Sequence, residues 1–288
     1  MMAKDTFLNR KVILNSKGKL IDLSSPAVMA ILNLTPDSFY ANSRISTIDE
    51  ALKATENFLN EGAKFIDIGA YSSRPGAADI TIDEELKRLI PIVEAITKEF
   101  PDALISIDTF RAKVAEETIS AGAHLINDIS AGNLDEQMFE TVAKLQVPYV
   151  MMHMKGTPQN MQENPTYHNI VEEVSTYFSE KLAILNKKGV KDIIIDPGFG
   201  FAKTISHNYE LLQQMEQLNS FELPILVGFS RKSMVTKVLN NKSVDALNGT
   251  TVLNTSALLK GAKILRVHDV KEAMECVKLV NRLNGLIG

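Results

Sequence analysis

The chain holds a single cysteine, Cys276, among 288 residues. One thiol cannot close an internal disulfide or build a thiolate zinc centre, so the fold rests on its core, and a reducing compartment suits it. No run of five basic residues occurs, and 31 Lys+Arg against 35 Asp+Glu give a net charge of −4. That balance speaks against nucleic acid or an anionic membrane as partner. Nowhere are 18 apolar residues consecutive, and residues 1–20 are polar and broken by charges. Neither a membrane span nor a signal peptide is expected, which predicts a soluble cytoplasmic protein. Low-complexity tracts, Gly/Ser linkers and shifts of composition are missing too, so the chain reads as one domain over 1–288.

What is present is a balance of 45% hydrophobic and 23% charged residues, that of a globular protein large enough to bury a sizeable core. Short β-branched runs alternate with amphipathic helical stretches. The candidate strands are 27–33, 64–68, 104–108, 124–127, 148–152, 192–196, 224–228 and 263–267, nearly continuous in apolar character, as strands buried on both faces should be. Thr47 with Glu50, and Thr81 with Glu84, read as capping boxes. The first helix shows Ile48, Ala51, Leu52 and Leu59 on one face, with Gly62 as its stop. Further helices are expected over 112–120, 134–145, 169–188, 207–218, two segments between 232 and 260, and 270–283, while Pro91 should bend or split its helix. Eight strands alternating with helices at this length favour a (β/α)8 TIM barrel over an open sheet. Residues 7–21, with a turn at Asn15–Gly18, predict an N-terminal β-hairpin closing the barrel's lower end.

Polar residues that do not suit a buried strand fall at the strand ends or just beyond them: Asn33, Asp67, Asp108, Asn127, His153, Asp196, the Ser230–Lys232 run, and Arg266 with His268. In a barrel these positions converge on one mouth, where such folds hold their active sites. Asp108, Asn127 and Asp196 offer acceptors and an amide, which suit a flat heterocycle with adjacent N–H groups, such as the amino-pyrimidinone edge of a pterin. Lys232, Arg266 and His268 bring positive charge and donors, which suit a diphosphate leaving group. Gly198 and Gly200, after Asp196, let backbone approach a ligand. Among the five histidines, His124 reads as core within a strand, and no H-E-x-x-H spacing occurs. Dinucleotide, Walker and nucleophile-elbow motifs are absent as well.

These residues lie in motifs that resemble those of the dihydropteroate synthases, from Ala27 to about Leu283. They are Met29–Phe39 (MAILNLTPDSF), Asp67–Ala77 (DIGAYSSRPGA), Ser106–Thr109, Ile126–Ile129, Met152–Met154, the Asp196 loop, Gly228–Lys232 and Arg266–Asp269. The resemblance implies that Asp108, Asn127, Asp196 and Lys232, with Met152 and Gly228, hold a pterin. It places the diphosphate on Asn33, Arg74, Arg266 and His268, with Asn33 near Mg²⁺. Phe39, Ser73, Arg74, Pro75, Phe201 and Ser230 would shape a pocket for para-aminobenzoate, where sulfonamide drugs compete in this family. Arg266, His268, Lys232 and Asp108 are the implied catalytic residues, and a homodimer is the implied assembly. Ala30, Ala70 and Ala202 stand where the family carries glycine, Tyr71 where glutamate is common, Ser73 for threonine, and Tyr40–Asn42 for a Ser-Asp-Gly stretch. Two other readings share a pterin pocket: a methyltetrahydrofolate:corrinoid-protein methyltransferase and a non-catalytic pterin-binding paralogue. The loop Ser73–Gly76 and the run Ser230–Lys232 speak against the former.

Overall fold

Lys17 and Gly18 both adopt positive φ, the requirement of a two-residue type I′ turn, and join β1 (Ile13–Ser16) to β2 (Lys19–Asp22) as an antiparallel hairpin. This is a computed structural model, and it describes residues 12–34, 47–72, 79–163 and 165–285. The part of the expected hairpin before residue 12 lies outside them. So do Phe39, the Tyr40–Asn42 stretch, Ser73, Arg74 and Pro75.

The remaining strands are β3 (Ala27–Asn33), β4 (Phe65–Gly69), β5 (Leu104–Asp108), β6 (Leu125–Asp128), β7 (Tyr149–Met152), β8 (Ile193–Asp196), β9 (Ile225–Val227) and β10 (Ala262–Val267). Each pairs in parallel with its neighbours, and β10 returns to β3, so the sheet closes into a (β/α)8 TIM barrel. Around it run α1 (Ile48–Glu61), α2 (Ile82–Glu99), α3 (Ala112–Ser120), α4 (Met138–Leu145), α5 (Ile170–Lys187), α6 (Ile205–Gln213), α7 (Ser233–Leu239), α8 (Leu247–Leu259) and α9 (Val270–Leu283). No helix among the described residues is long and apolar enough to cross a membrane.

Successive strand residues point to opposite faces, and the core divides accordingly. Val28, Ile66, Ile105, Ile126, Ile193 and Leu265 face outward against the helices. Ala27, Met29, Phe65, Leu104, Leu125, Val150, Ile194, Leu226 and Ile264 fill the interior, and Leu14, Ile21 and Leu23 of the hairpin segment close it from below. The hairpin is tied on by polar bonds too: Asn15 N–H donates to Asp192 Oδ1 at 2.8 Å and Ser16 Oγ to the His124 carbonyl at 2.7 Å.

Several details depart from the sequence expectations. His124 is not inside β6 but at its foot, half-buried, with Nδ1 accepting the Ile105 N–H at 3.3 Å; burial, Lys19 and Lys17 lower its pKa to about 4. Pro91 does not split α2, since its side of the helix faces solvent and the carbonyl it leaves unpaired can be hydrated. Thr47 and Glu50 form the full capping box; Thr81 caps α2, but Glu84 turns to Arg88 Nε at 2.9 Å. On α1 the packed face starts later, at Ala51 and Thr55, and leaves Ile48 exposed. The helix expected over 134–145 begins only at Met138, because Asp135 turns outward to cap α3, accepting Ala112 N–H at 2.7 Å. The 207–218 helix starts at Ile205 and tightens into a 3₁₀ segment over Met215–Phe221.

Because Ile21 is buried under the barrel while its neighbour Leu20 is 70% exposed, the two test the stopper. Ile21→Ala should cost about 2–5 kcal/mol of unfolding free energy in a denaturant titration, and Leu20→Ala within about 0.5 kcal/mol. Equal losses would mean that the hairpin does not seal the core.

Candidate active site

Up the inward face of most strands, an apolar residue at the foot gives way to a polar or small one two positions on. Phe65 is followed by Asp67, Leu104 by Ser106 and Asp108, Leu125 by Asn127, Ile194 by Asp196, and Ile264 by Arg266 and then His268. On β7 the sequence is Val150 then Met152, and beyond β9 Leu226 then Gly228. The upper barrel is therefore a polar well over an apolar floor.

At its centre lies a charged network. Arg266 Nε donates to Asp67 Oδ2 at 2.6 Å, and Nη2 to Asp108 Oδ2 at 2.7 Å. Asp67 is fully buried, and it also accepts the Ser106 hydroxyl on Oδ1 at 2.5 Å and the Asn127 amide N–H on Oδ2 at 3.1 Å. Burial alone would lower the pKa of Arg266, yet Asp67 and Asp108 hold it above the ordinary value. Burial above all, then Asp67, Glu85 and Asp128, push Asp108 up to about 7 against the pull of Arg266.

Across the well, the loop after β8 is held by lysines. Gly198 N–H donates to Asp196 Oδ1 at 2.7 Å, and Lys232 Nζ donates to the Phe199 carbonyl at 2.6 Å while lying 4.7 Å from the centre of the Phe201 ring. Burial lowers Lys232 to about 8, against the pull of Asp196. Burial likewise raises Asp196, offset by Lys232. An ideal Cβ on Gly228 would stand 3.7 Å from Lys232 Nζ, so this glycine keeps the space beside the ammonium open. Met152 belongs to a small apolar cluster at the mouth with Ile129, Met154, Met161 and Ala202, bordered by Phe110, Leu134 and Phe201. A flat ring has both an acceptor wall and a greasy side to lie against.

Ser230 Oγ and His268 Nδ1 are 2.9 Å apart. Burial, then Arg266, lowers His268 to about 4, so its ring is neutral at pH 7. The sequence reading counted His268 among positive charges; in the structure it supplies a donor instead. A neutral ring accepting the Ser230 hydroxyl at Nδ1 carries its proton on Nε2. Asn33 ends β3, in register with Gly69 and partly exposed.

Some buried polar groups here escaped the sequence reading. Lys203 is buried, with Nζ 3.0 Å from His153 Nδ1 and donating to the Gly198 and Phe201 carbonyls at 3.0 Å each. Burial lowers it to about 7 and drives His153 well below the usual imidazole range. Arg111 joins buried Glu85 at 2.7 Å and lies over the Tyr71 and Phe110 rings. A lysine in a loop gives no hint that it will be enclosed. Asp67, by contrast, stands among the strand-end polar residues of the sequence, and only its partners are hidden there.

A closed parallel barrel with this well is the architecture of pterin-binding enzymes, and the sequence model of the family described as "Pterin binding enzyme" matches residues 29–268. The dihydropteroate synthase of Escherichia coli (strain K12) is 43% identical over 267 residues, covering 92% of this chain and 94% of the relative. A crystal structure of the Yersinia pestis dihydropteroate synthase in complex with a sulfonamide drug superposes with a TM-score of 0.91 at 42% identity, covering 95% of this chain and 100% of the other. The Xanthomonas albilineans dihydropteroate synthase with 4-aminobenzoic acid gives 0.88 at 32% identity, covering 96% and 100%. The chain belongs to the dihydropteroate synthase family.

Gly198 has φ +71°, and an ideal Cβ there would meet the His153 carbonyl oxygen at 2.1 Å; Gly189 has φ +80° but open space around it. Gly198→Ala should cost more than about 2 kcal/mol in denaturant unfolding, whereas Gly189→Ala should cost about 1 kcal/mol from its backbone alone. Similar losses would mean that the β8 loop is not fixed against His153.

Proposed function

We propose that this chain condenses 6-hydroxymethyl-7,8-dihydropterin diphosphate with para-aminobenzoate, releasing diphosphate and 7,8-dihydropteroate. The observation that carries this reading is the pairing of an acceptor wall, Asp108, Asn127 and Asp196, with the cations Arg266 and Lys232 in one well. The pterin's amino-pyrimidinone edge offers N–H groups to the wall, with Met152 and Gly228 beside the ring. Names among its relatives point the same way.

The bond from the pterin methylene carbon to the diphosphate oxygen breaks with both electrons leaving on oxygen, and the electron-rich pterin delocalises the positive charge left behind. Arg266 stabilises the oxygen that gains charge, and His268 donates to it from Nε2. The aniline nitrogen of aminobenzoate then attacks the methylene carbon and loses a proton. Phe201 and Ser230 border the space above the pterin, where aminobenzoate, or a sulfonamide in its place, would lie. Phe39, Ser73, Arg74 and Pro75 are proposed to complete that space and Arg74 to reach the diphosphate, on family resemblance. No enzyme nucleophile is required; holding two flat substrates in line supplies much of the rate.

Mg²⁺ is proposed as the cofactor. Among the described residues no group of three His, Cys, Asp or Glu could hold a metal. A single carboxamide, Asn33, fits an ion that keeps several waters and takes its other ligands from substrate phosphate. Bound there it would neutralise diphosphate charge.

A homodimer is proposed as well. Val238 and Leu239 on α7, Val252 and Leu259 on α8, and Leu279 and Leu283 on α9 are exposed on helices that pack side by side. A patch of this kind marks an association surface, and a second copy of the chain can cover it symmetrically. The buried free thiol of Cys276 supports a reducing cytoplasm as its setting.

Purified protein with both substrates and Mg²⁺ should release diphosphate only when aminobenzoate is present. Release of none, with pterin bound, would favour a non-catalytic paralogue, and formation of methylcobalamin from methyltetrahydrofolate a methyltransferase. Arg266→Ala should lower the saturated turnover rate at least about 100-fold; an unchanged rate would overturn its leaving-group role. In light scattering the protein should show twice the chain's mass and Val252→Asp the single-chain mass. A monomeric wild type would overturn the dimer.

A further inference from the structure

Asp67 lies one inward step below the ring of acceptors. Its register partner is Ser106, whereas Asp108 and Asn127 stand level with Gly69, two residues higher. It is fully buried, and both its oxygens are taken from within the protein: Oδ1 by the Ser106 hydroxyl, Oδ2 by Asn127 Nδ2 and Arg266 Nε. A carboxylate so placed is spoken for before any ligand arrives.

Its effect on Asn127 is directional. An amide presents a carbonyl on one side and two N–H bonds on the other, and the two orientations have nearly the same shape. With the N–H side donating to Asp67, the carbonyl oxygen of Asn127 is turned the other way. The flipped amide would set that oxygen against a carboxylate oxygen in a buried site, an arrangement with no proton to share and a desolvated charge nearby. The same oxygen of Asp67 takes Arg266 Nε, leaving Nη2 to reach Asp108. One buried carboxylate therefore fixes two of the groups that meet the ligand.

We propose that Asp67 is a positioning residue that sets the well to read N–H donors, locking Asn127 as an acceptor and Arg266 across to Asp108, and so selects an aminated pteridine edge over an oxygenated one. This rests on the pterin reading of the site. The ligand distinction follows from chemistry: a pterin carries an amino group where a pteridine-2,4-dione carries a carbonyl, and a fixed acceptor repels the second.

The test is Asp67→Asn in the full chain, with binding of a dihydropterin and of a pteridine-2,4-dione measured by fluorescence or calorimetry from pH 5 to 9. An asparagine at 67 keeps the shape but removes the charge that orients Asn127. Wild type should prefer the pterin strongly, and Asp67→Asn should reduce that preference at least about tenfold. The pH profile gives a second readout that a loss of packing alone would not move. The charged groups acting on Asp108 are Arg266 from β10, Asp67 from β4, Glu85 from α2, Asp128 from β6 and Lys232 at the start of α7. Pterin binding should weaken in wild type as pH falls through about 7 and Asp108 takes up a proton. With the Asp67 charge gone, Asp108 stays ionised to lower pH, so this acid limb should move downward. Ser106→Ala, which frees Oδ1 but keeps the charge, should lower the preference by less and leave the acid limb in place, and it serves if Asp67→Asn does not fold. Unchanged preference and an unmoved acid limb in a folded variant would overturn the role of Asp67. A wild type that binds no pterin would overturn the reading of the well instead.

Discussion

A closed parallel barrel leaves each strand two directions for its side chains, toward the helices or toward the axis. Outward positions are filled mostly by Ile, Val and other apolar side chains because the helix layer covers them. Inward positions change character with height: the lowest layers interlock as a dry core, and above them the space is too wide to fill, so polar side chains line it. Function is thereby confined to the upper inward positions, and no such residue can shift by one place without turning into the helix layer.

The second constraint is charge in a place of low dielectric. Asp67, Asp108 and Asp196 share the well and its loops with Arg266, Lys232 and Lys203, and burial pushes every one that shifts away from its solution value, except Arg266, held charged by two carboxylates. Buried ion networks contribute little net stability, since desolvation offsets most of the attraction. Their use here is geometric: Arg266 and Lys203 are each pinned by more than one acceptor and Lys232 by the Phe199 carbonyl, so the site is organised before substrate arrives. Ala202 carries a strain of its own, with φ +47° in the left-handed region.

Much of this was legible in the sequence. Strands rich in Ile and Val, spaced by amphipathic stretches, gave the barrel, and polar residues at strand ends gave the mouth, because a polar group at such a place has no structural excuse. What could not be read is pairing. Asp67 was visible as a strand-end residue, yet its bonds to Ser106, Asn127 and Arg266 join strands that the chain itself separates by up to 199 residues. Lys203 was invisible for another reason: local composition cannot tell an ammonium in water from one enclosed by loop carbonyls. The neutrality of His268 is hidden in the sequence because its burial, and then the charge of Arg266, act through space and not along the chain.

The hairpin below the barrel has a consequence for traffic. With Leu14, Ile21 and Leu23 wedged into the lower opening, the interior is a cul-de-sac. Whatever sits deepest, against Asp108 and Asn127, has to arrive before anything that rests above it, and cannot slip out beneath. A single doorway turns a binding site into a stack, loaded and emptied from the top, so the order of events is written into the architecture and not only into relative affinities.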